Sequence, residues 1–500
     1  MRSQSLSYPA EVAYHVQGHG TNKYPAKAHA RRVAEAAGSP SAIIGLEGVK
    51  TVPYANSDQP RHFRQDRYFY YITGCNEPGC YVTYEVSKDY LTLWLPKSDP
   101  RRIFYDGRGS TPEEAMAKYD IDKASYIDPD TNMNAWVSKA CDTSSKTALF
   151  LDKRISTHSQ PAHSSSDVLR HAMDSCRAIK DADEVELIRK ANRISSDAHR
   201  QVLKHLSKFN REAQAEGLFL NTCIVAGAKE QAYGPIVGSG PNAGTLHYQA
   251  NNEPFEDRQV LLIDASCEWQ LYAADITRTM PLNRKKPGYW PSKEAEAIYK
   301  IVEKVQESCI KMLKPGVRFI DVNWHAIHMT IDALLEISLL KGKHIDIFHA
   351  GTVGAFFPHG LGHHLGLEVH DITPTSADSE GISPKISTTE HYLYMSNTDR
   401  SLPVFTPNIL NAPPLLPGNV VTIEPGLYFN KYNLDTVYLP DPKHSQYINT
   451  EVLEQYMLVG GVRIEDDILI TESGYENLTP AVKGDEMLKV IREGAAGKSE

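Results

Sequence analysis

Apolar positions near the start of the chain follow strand-like and helix-like spacings in alternation. Residues 41–45 and 147–151 are short apolar runs typical of buried strands, and residues 26–37 have the spacing of a helix. Residues 80–96 contain two β-rich runs around a short polar turn, which predicts a hairpin. The pattern therefore predicts a smaller α/β domain over residues 1–165.

A second region begins near Asp181, where Asp181 and Glu184 have the spacing of a helical capping box. Apolar residues recur from there at helical spacing, and they do so again over residues 292–313 and 321–340. Strand-like runs accompany these helices at 260–266, 271–280, 420–424 and 461–471. We expect an α+β catalytic domain over residues 181–480.

Two segments differ from this pattern. Residues 370–417 are rich in Ser, Thr and Pro without clear periodicity, and loops of this length are often lids or inserts. We expect this segment to fold over the active-site cleft and restrict substrate length; the alternative is a surface insertion with no role in specificity. Residues 481–500 are expected to form a C-terminal tail in which a helix leads into polar residues.

Composition restricts the classes of function. The formal net charge is −9 and no basic stripe is present, which argues against nucleic acid as a partner. No run of about 18 apolar residues occurs, so no membrane span is expected. The seven cysteines form no CxxC pair, and this odd number favours reduced thiols in a cytoplasmic protein.

Two aspartates occupy the strand-like segment 261–281. We predict that the chain reverses at Trp269 and Gln270. Asp264 and Asp275 would then lie directly opposite each other in an antiparallel pair, with Cβ atoms about 5 Å apart. Their apolar neighbours imply burial, and two buried carboxylates this close repel, so that one is protonated or a cation lies between them. The alternative is a hairpin with one exposed aspartate on each strand.

Residues 357–371 contain a group of histidines among glycines. The glycines suit a close approach of the backbone better than a regular helix, and histidine is the commonest protein ligand for transition metals. The histidines are His359, His363, His364 and His370. The alternative for this segment is a solvent-exposed, histidine-rich loop.

Two glutamates extend the set of candidate ligands. Glu424 ends an apolar strand and is followed by Pro-Gly, whereas Glu465 lies inside an alternating strand. Either one alone is indistinguishable from an ordinary glutamate at a solvated strand edge. Together with the two aspartates and one imidazole, they match a dinuclear site, in which metals lie about 3.5–4 Å apart. Oxygen-rich ligation with one nitrogen favours Mn²⁺, Mg²⁺ or Co²⁺ over a thiolate-rich zinc site.

These motifs resemble the pita-bread metallopeptidases, in the branch of aminopeptidase P and prolidase that cleaves Xaa-Pro bonds. The resemblance covers nearly the whole chain. In the first domain it is carried by FRQDRYFYYITGCNEPGC, residues 63–80. In the second domain six motifs match in order: IVGSGPNAGTLHY, IDASCEW, ADITRTMP, HGLGHHLGLEVHD, TIEPGLYF and VGGVRIEDDILIT. The resemblance implies a pita-bread catalytic domain behind the smaller α/β domain.

The resemblance also implies the roles of individual residues. Two Mn²⁺ ions per subunit, or Co²⁺ or other divalent ions, would be held by Asp264, Asp275, His363, Glu424 and Glu465. Asp275 and Glu465 would bridge the ions, and Glu424 would also serve as the general base. The substrate would be contacted by His247, His359, His370 and Arg463. Of these, His247 and His370 would also act in catalysis.

The resemblance leaves two activities open, both on peptides with proline at position two. An aminopeptidase P removes the first residue from longer peptides, whereas a prolidase cleaves only Xaa-Pro dipeptides. The long spacing from Glu424 to Glu465 favours prolidase, but residues 408–418 lack the arginine with which prolidases bind the dipeptide carboxylate. We expect an Xaa-Pro aminopeptidase, with the strict dipeptidase as the alternative.

A third alternative is an inactive binding protein on the same fold, because a fold alone does not fix a function. All the candidate ligands are present, which disfavours it. The resemblance further implies a homo-oligomer, most simply a dimer, and it gives His364 no functional position.

Overall fold

The computed structural model describes residues 23–101, 103–127, 148–151, 166–373 and 413–497. Its first strands are β1 (Ile43–Glu47), β2 (Tyr81–Glu85), β3 (Tyr90–Leu95), β4 (Lys123–Tyr126) and β5 (Ala148–Phe150). They form one mixed sheet in the order β4-β3-β2-β1-β5, in which the β3–β4 and β1–β5 pairs are parallel. The accompanying helices are α1 (Ala26–Ala36), α2 (Arg67–Tyr71), α3 (Ile103–Asp106), α4 (Pro112–Lys118) and α5 (Ser166–Ala178).

The second part contains several small sheets. Its strands are β6 (Ile236–Ser239), β7 (Val260–Asp264), β8 (Glu268–Trp269), β9 (Tyr272–Ala273), β10 (Thr277–Pro281), β11 (Val420–Ile423), β12 (Gly426–Tyr428), β13 (Gly461–Arg463), β14 (Asp466–Ile470) and β15 (Tyr475–Asn477). They pair as β10-β7-β6, β11-β14-β15, β12-β13 and β8-β9.

Helices surround these sheets and share a large buried core with them. They are α6 (Ala182–His205), α7 (Glu212–Val225), α8 (Lys293–Met312), α9 (Phe319–Glu336), α10 (His344–Ala350), α11 (Lys431–Asn433), α12 (Pro442–Ser445), α13 (Thr450–Tyr456) and α14 (Gly484–Ala495). α14 lies in the predicted tail, where a helix was expected. No helix in the described part of the chain is both long and apolar enough to cross a bilayer.

The start of α6 confirms the predicted capping box. The side chain of Asp181 accepts a 3.0 Å hydrogen bond from the backbone N–H of Glu184, and the side chain of Glu184 accepts one of 3.0 Å from the N–H of Asp181. The predicted end of the helix over 321–340 is wrong, because α9 ends at Glu336. Ser338 adopts a positive φ of 59°, and the apolar residues that follow turn away to pair with another segment.

The predicted opposition of Asp264 and Asp275 is also wrong. The partner of Asp264 across the β7–β10 ladder is Thr277. Trp269 pairs with Tyr272, so the chain reverses at the two residues between them, both of which have positive φ as a two-residue type I′ hairpin turn requires. The turn lies one residue later than predicted, and this changes the cross-strand partner of each residue by two positions. Residues two positions apart on a strand share a face, so both aspartates keep the face that was predicted for them.

The core of the first part extends onto the second. Buried residues of the first sheet, such as Val82 and Leu93, belong to the same apolar cluster as Tyr272 in the β8–β9 hairpin and Leu365. The predicted domain boundaries, 1–165, 181–480 and 481–500, stay predictions. Residues 374–412, which form most of the predicted lid segment, lie outside the described residues.

Candidate metal centre

The acidic residues predicted as ligands lie where strands end or are interrupted. Asp264 is the last residue of β7, and Asp275 lies between β9 and β10. Glu424 lies between β11 and β12, and Glu465 lies between β13 and β14. A regular strand alternates its side chains between two faces, so an interruption frees a side chain to point toward its neighbours. The carboxylates of different strands thereby converge on one centre.

The hydroxyl group of Tyr233 connects the two aspartates. Its oxygen lies 2.6 Å from Oδ1 of Asp264 and 2.6 Å from Oδ1 of Asp275. A phenol has one proton to donate. While both carboxylates are ionised, the hydroxyl can therefore donate a hydrogen bond to only one of them. Burial raises the pKa of Tyr233 well above its ordinary value, and the aspartate charges raise it further, so the hydroxyl keeps its proton.

Thr277 and Arg463 orient the carboxylates from the surrounding strands. The hydroxyl of Thr277 donates a 2.7 Å hydrogen bond to Oε2 of Glu465 and accepts one of 3.0 Å from Nε of Arg463. Arg463 also donates from Nη2 to Oδ2 of Asp264 at 2.6 Å. One buried guanidinium therefore fixes Asp264 directly and Glu465 through a shared hydroxyl.

His363 adds a nitrogen to this set of oxygens. Its Nε2 lies 3.4 Å from Oδ2 of Asp275 and 3.4 Å from Oε1 of Glu424. Its Nδ1 lies 3.0 Å from the backbone carbonyl of His364, to which a protonated Nδ1 donates. This assignment leaves the lone pair on Nε2, as in most histidine ligands of metals. Ligand atoms of Asp275, His363 and Glu465 all lie within 4.8 Å of one another.

The centre holds more buried negative charge than its one guanidinium can offset. Burial raises the pKa of Asp275, Glu424 and Glu465 well above the ordinary values, and neighbouring carboxylates raise each of them further. Groups of this kind require a proton or a cation when they are brought together. The charge and the donor set of carboxylate oxygens with one imidazole both fit hard divalent ions such as Mn²⁺.

A hydrogen-bonded chain leads from this centre to His359. Nη1 of Arg463 donates to the hydroxyl of Tyr428 at 2.8 Å, and that hydroxyl lies 2.8 Å from Nε2 of His359. Nδ1 of His359 lies 2.7 Å from the carbonyl of Gly360. Burial, followed by the charge of Arg463, lowers the pKa of His359 to about 3. The imidazole is therefore neutral and receives the Tyr428 proton on Nε2.

The other predicted site histidines lie at the edge of the centre. His370 is exposed, and its ring centroid lies 4.1 Å from that of His363. His247 is also exposed, in the turn that follows residues 240–244. Partial desolvation lowers the pKa of His247, while the charges of Asp264 and Arg463 act on it in opposite directions. His364 is buried, and burial, followed by the charge of Lys180, lowers its pKa to about 3.

The structure therefore brings together the five residues that were predicted as ligands, and it places Arg463, which was predicted as a substrate contact, beside Asp264. The groups that hold these side chains were not predicted from the sequence; they are Tyr233, Thr277, Thr422 and Tyr428. Tyr428 and Thr277 stand inside the matched motifs, four and two residues from predicted ligands, so they could have been suspected. Tyr233 has no such signal, because it precedes the first matched motif of the second domain.

The comparison with known proteins extends these observations. Residues 186–472 match the profile of metallopeptidase family M24, and residues 28–150 match that of the aminopeptidase P N-terminal domain. The fold and the carboxylate–histidine centre thus define a metallopeptidase. The chain belongs to metallopeptidase family M24, with an N-terminal domain of the aminopeptidase P type.

Similar proteins agree on one kind of peptidase. A probable Xaa-Pro aminopeptidase of Pyrenophora tritici-repentis is 48% identical over 96% of this chain and 73% of its own length. Another, from Aspergillus niger, is 45% identical over 96% of this chain and 95% of its own length. The structure of Escherichia coli aminopeptidase P with the inhibitor Pro-Leu is 25% identical, with a TM-score of 0.73, and covers 95% of this chain and 100% of that one. These matches confirm the predicted pita-bread fold behind an α/β N-terminal domain.

Proposed function

We propose that the chain is an Xaa-Pro aminopeptidase, which hydrolyses the bond between an N-terminal residue and a proline at position two. The observation that carries this proposal is the convergence of Asp264, Asp275, His363, Glu424 and Glu465 on one buried centre in a family M24 chain. The curated relatives of Pyrenophora and Aspergillus, which are named as probable Xaa-Pro aminopeptidases, support the substrate class.

We assign these residues as the ligands of two divalent ions. Asp275 and Glu465 would be shared by both ions, and their ligand atoms lie within 4.8 Å of each other and of that of His363. When bound, such ions supply positive charge that lowers the pKa of water and polarises a carbonyl group. The chain itself holds its carboxylates in place through Tyr233 and Arg463, so the centre is organised by the protein.

Glu424 is the proposed general base. Its carboxylate lies beside Nε2 of His363 at 3.4 Å and is steadied by the hydroxyl of Thr422 at 3.3 Å. It takes the proton from the attacking water and returns it to the proline nitrogen as the bond breaks. That transfer matters because the nitrogen of the scissile amide must acquire a proton to leave as an amine.

The exposed histidines are proposed to contact the substrate. His247 and His370 stand on the solvent side of the centre and can donate hydrogen bonds to the carbonyl oxygen as charge develops on it. His359 and Arg463 are joined through hydrogen bonds to the hydroxyl of Tyr428. We propose that these three side chains form the wall against which the peptide lies.

The strict dipeptidase remains the second candidate. The observation that favours it is the long spacing between Glu424 and Glu465. The lack of an arginine over residues 408–418 opposes it, as do the relatives named as aminopeptidases. The inactive binding protein is disfavoured because each candidate ligand is present and faces the centre.

We propose Mn²⁺ as the resident metal, with Co²⁺ as an active substitute, because the centre is rich in oxygen and has one nitrogen. We further propose a cytoplasmic homodimer. The cysteines in the described ranges are all free thiols, which supports a reducing compartment. The dimer rests on the family resemblance alone, and light scattering on the purified protein tests it.

The deciding experiment is a comparison of substrates. The purified protein with Mn²⁺ is assayed on an Xaa-Pro-Yaa tripeptide, on the Xaa-Pro dipeptide and on a matched peptide with alanine at position two. We expect release of the first residue from the tripeptide and little cleavage of the alanine peptide. Exclusive cleavage of the dipeptide would establish the dipeptidase instead, and cleavage of none would exclude both.

A further inference from the structure

The segment 363–371, named here the histidine loop, carries the proposed ligand His363 at its start and the proposed substrate contact His370 near its end. The first residues of the loop are hydrogen-bonded to β11, because the N–H of Thr422 donates to the carbonyl of His363 at 2.8 Å and the N–H of Leu365 donates to that of Val420 at 3.0 Å. Residues 366–371 continue beyond this pairing and form no strand. Contacts other than strand pairing must therefore hold this part of the loop, which carries His370.

Asp371 closes the histidine loop through its backbone. Its N–H donates a 2.8 Å hydrogen bond to the carbonyl of His364, which joins the two ends of the loop. Between them, the carbonyl of Gly366 accepts a 2.8 Å hydrogen bond from the N–H of Ala273 in the β8–β9 hairpin. Any displacement of Asp371 is therefore transmitted to the residues directly beside His363 and His370.

The side chain of Asp371 belongs to a buried ion cluster formed with Arg177 and Lys180. Nη2 of Arg177 lies 2.7 Å from one carboxylate oxygen, and Nζ of Lys180 lies 3.1 Å from the other. The side chains of all three residues are at most 3% exposed. Isolated charges are too costly to bury, so this carboxylate is confined to the position where both cations reach it.

The ion cluster is anchored outside the histidine loop. Arg177 lies in the last turn of α5, with the ring of Tyr68 4.5 Å from its guanidinium, and the backbone N–H of Lys180 donates to the carbonyl of Gly418 at 2.8 Å. The ion cluster also packs directly against Gly366 of the histidine loop. No side chain would fit there, since a Cβ atom on Gly366 would overlap the Asp371 carboxylate and lie 2.8 Å from Cε of Lys180. The cluster thus forms a fixed support beneath the loop.

We propose that the ion cluster positions the histidine loop for catalysis. Arg177 and Lys180 both contact Asp371, and they act through it. Loss of one cation leaves one of the two buried carboxylate oxygens without its charged partner, so that the carboxylate moves or draws in water and shifts the loop that it closes. The consequence for turnover rests on the proposed function, whereas the consequence for the geometry at His363 does not.

The test compares Lys180→Met, Arg177→Met and the conservative Lys180→Arg with the wild-type protein. Each is loaded with Co²⁺, whose visible absorption reports the geometry of its ligands, and kcat and KM are measured on an Xaa-Pro-Yaa peptide. We expect kcat to fall about ten- to a hundredfold in the methionine variants, the size of effect usual for groups that orient metal ligands. KM should change less, the Co²⁺ spectrum should shift, and Lys180→Arg should recover most of both signals.

Arg64→Met is the matched control. Arg64 pairs with Glu368 of the same loop at 2.7 Å, but its side chain is 48% exposed, and exposed pairs contribute little. This variant should retain the wild-type spectrum and kcat. An equal loss in Arg64→Met would overturn the proposal, because the loop would then respond to any lost contact.

A folded Lys180→Met protein with lower Tm but unchanged kcat and Co²⁺ spectrum would also overturn it, since the cluster would then only stabilise the fold. If the methionine variants fail to fold, the nearly isosteric Asp371→Asn replaces them and should show the same loss of kcat and the same spectral shift. If the wild-type protein cleaves no Xaa-Pro peptide, the proposed function fails, and the Co²⁺ spectra still decide the role of the cluster.

Discussion

Nη2 of Arg463 lies 2.6 Å from Oδ2 of Asp264, and both side chains are buried. The same guanidinium donates to the hydroxyls of Thr277 and Tyr428. Its planar fork can serve several acceptors in fixed directions, which an ammonium group cannot do. The polypeptide itself thus holds Asp264 in position.

Replacing this arginine should therefore weaken the centre without removing a ligand. We expect Arg463→Lys to keep the fold and to lose about ten- to a hundredfold in Mn²⁺ affinity or kcat, because Asp264 loses its fixed partner. Calorimetric titration of the metal-free variant with Mn²⁺ and steady-state kinetics measure the two quantities. Wild-type values for both would show that Arg463 is not needed to orient Asp264.

Tyr233→Phe tests the hydroxyl that the two aspartates share. The ring remains and only the donor within 2.6 Å of each carboxylate is removed. We expect a loss of about tenfold in metal affinity with little change in thermal stability. The distal Tyr432→Phe, at a 72% exposed ring, is the control and should bind Mn²⁺ as the wild type does. Identical Mn²⁺ titrations of the two variants would show that the Tyr233 hydroxyl has no role in metal binding.

Substitutions should distinguish the proposed metal ligands from the proposed substrate contacts by their effects on metal content and kcat. Asp275→Ala and Glu465→Ala should lose metal and activity together, because each removes a bridging carboxylate and leaves the remaining ligands unmatched. His247→Ala should keep its metal and lose mainly kcat. Metal content by atomic emission, measured beside kcat on the same samples, distinguishes the two classes. Equal metal loss in all of these variants would contradict the assigned roles.

The buried carboxylates also predict how metal binding depends on pH. Burial raises the pKa of Asp275, Glu424 and Glu465 in the folded, metal-free chain, whereas in the unfolded chain they titrate near 4. The folded state therefore binds more protons, and the free energy of unfolding of the metal-free chain falls as the pH rises above about 4. Bound cations remove this penalty by taking the place of the protons.

The gain in Tm on adding Mn²⁺ should consequently increase between about pH 5 and pH 8. Differential scanning calorimetry of the metal-free and Mn²⁺-loaded protein across this range measures it. A gain that is constant with pH would mean that the carboxylates are already ionised in the metal-free fold.

Much of this architecture could be predicted from the sequence where short-range patterns decide it. The capping box at Asp181 and the helical spacing after it give the start of α6 correctly, because both signals lie within a few residues. The end of α9 could not be predicted in the same way. Leu339 and Leu340 continue the apolar pattern, but they are buried through a turn at Ser338 and not through the helix.

The metal centre shows the same division. The face shared by Asp264 and Asp275 follows from the period of a strand, and this part of the prediction agrees with the structure. Their register does not, because the turn places Leu271 at a φ of 65°, a conformation that leucine rarely adopts and that turn preferences therefore do not favour. The contact of Tyr233 with both aspartates depends on the tertiary fold alone, so no local pattern contains it.

The most direct test of the proposed dinuclear centre is reconstitution of the metal-free protein. The chain is stripped with a chelator, dialysed and titrated with Mn²⁺, while bound metal and hydrolysis of an Xaa-Pro-Yaa peptide are followed together. We expect no hydrolysis without metal, and activity that rises to a plateau at two ions per chain. Full activity of the metal-free protein would contradict this expectation, as would a protein that binds two ions and cleaves no Xaa-Pro bond.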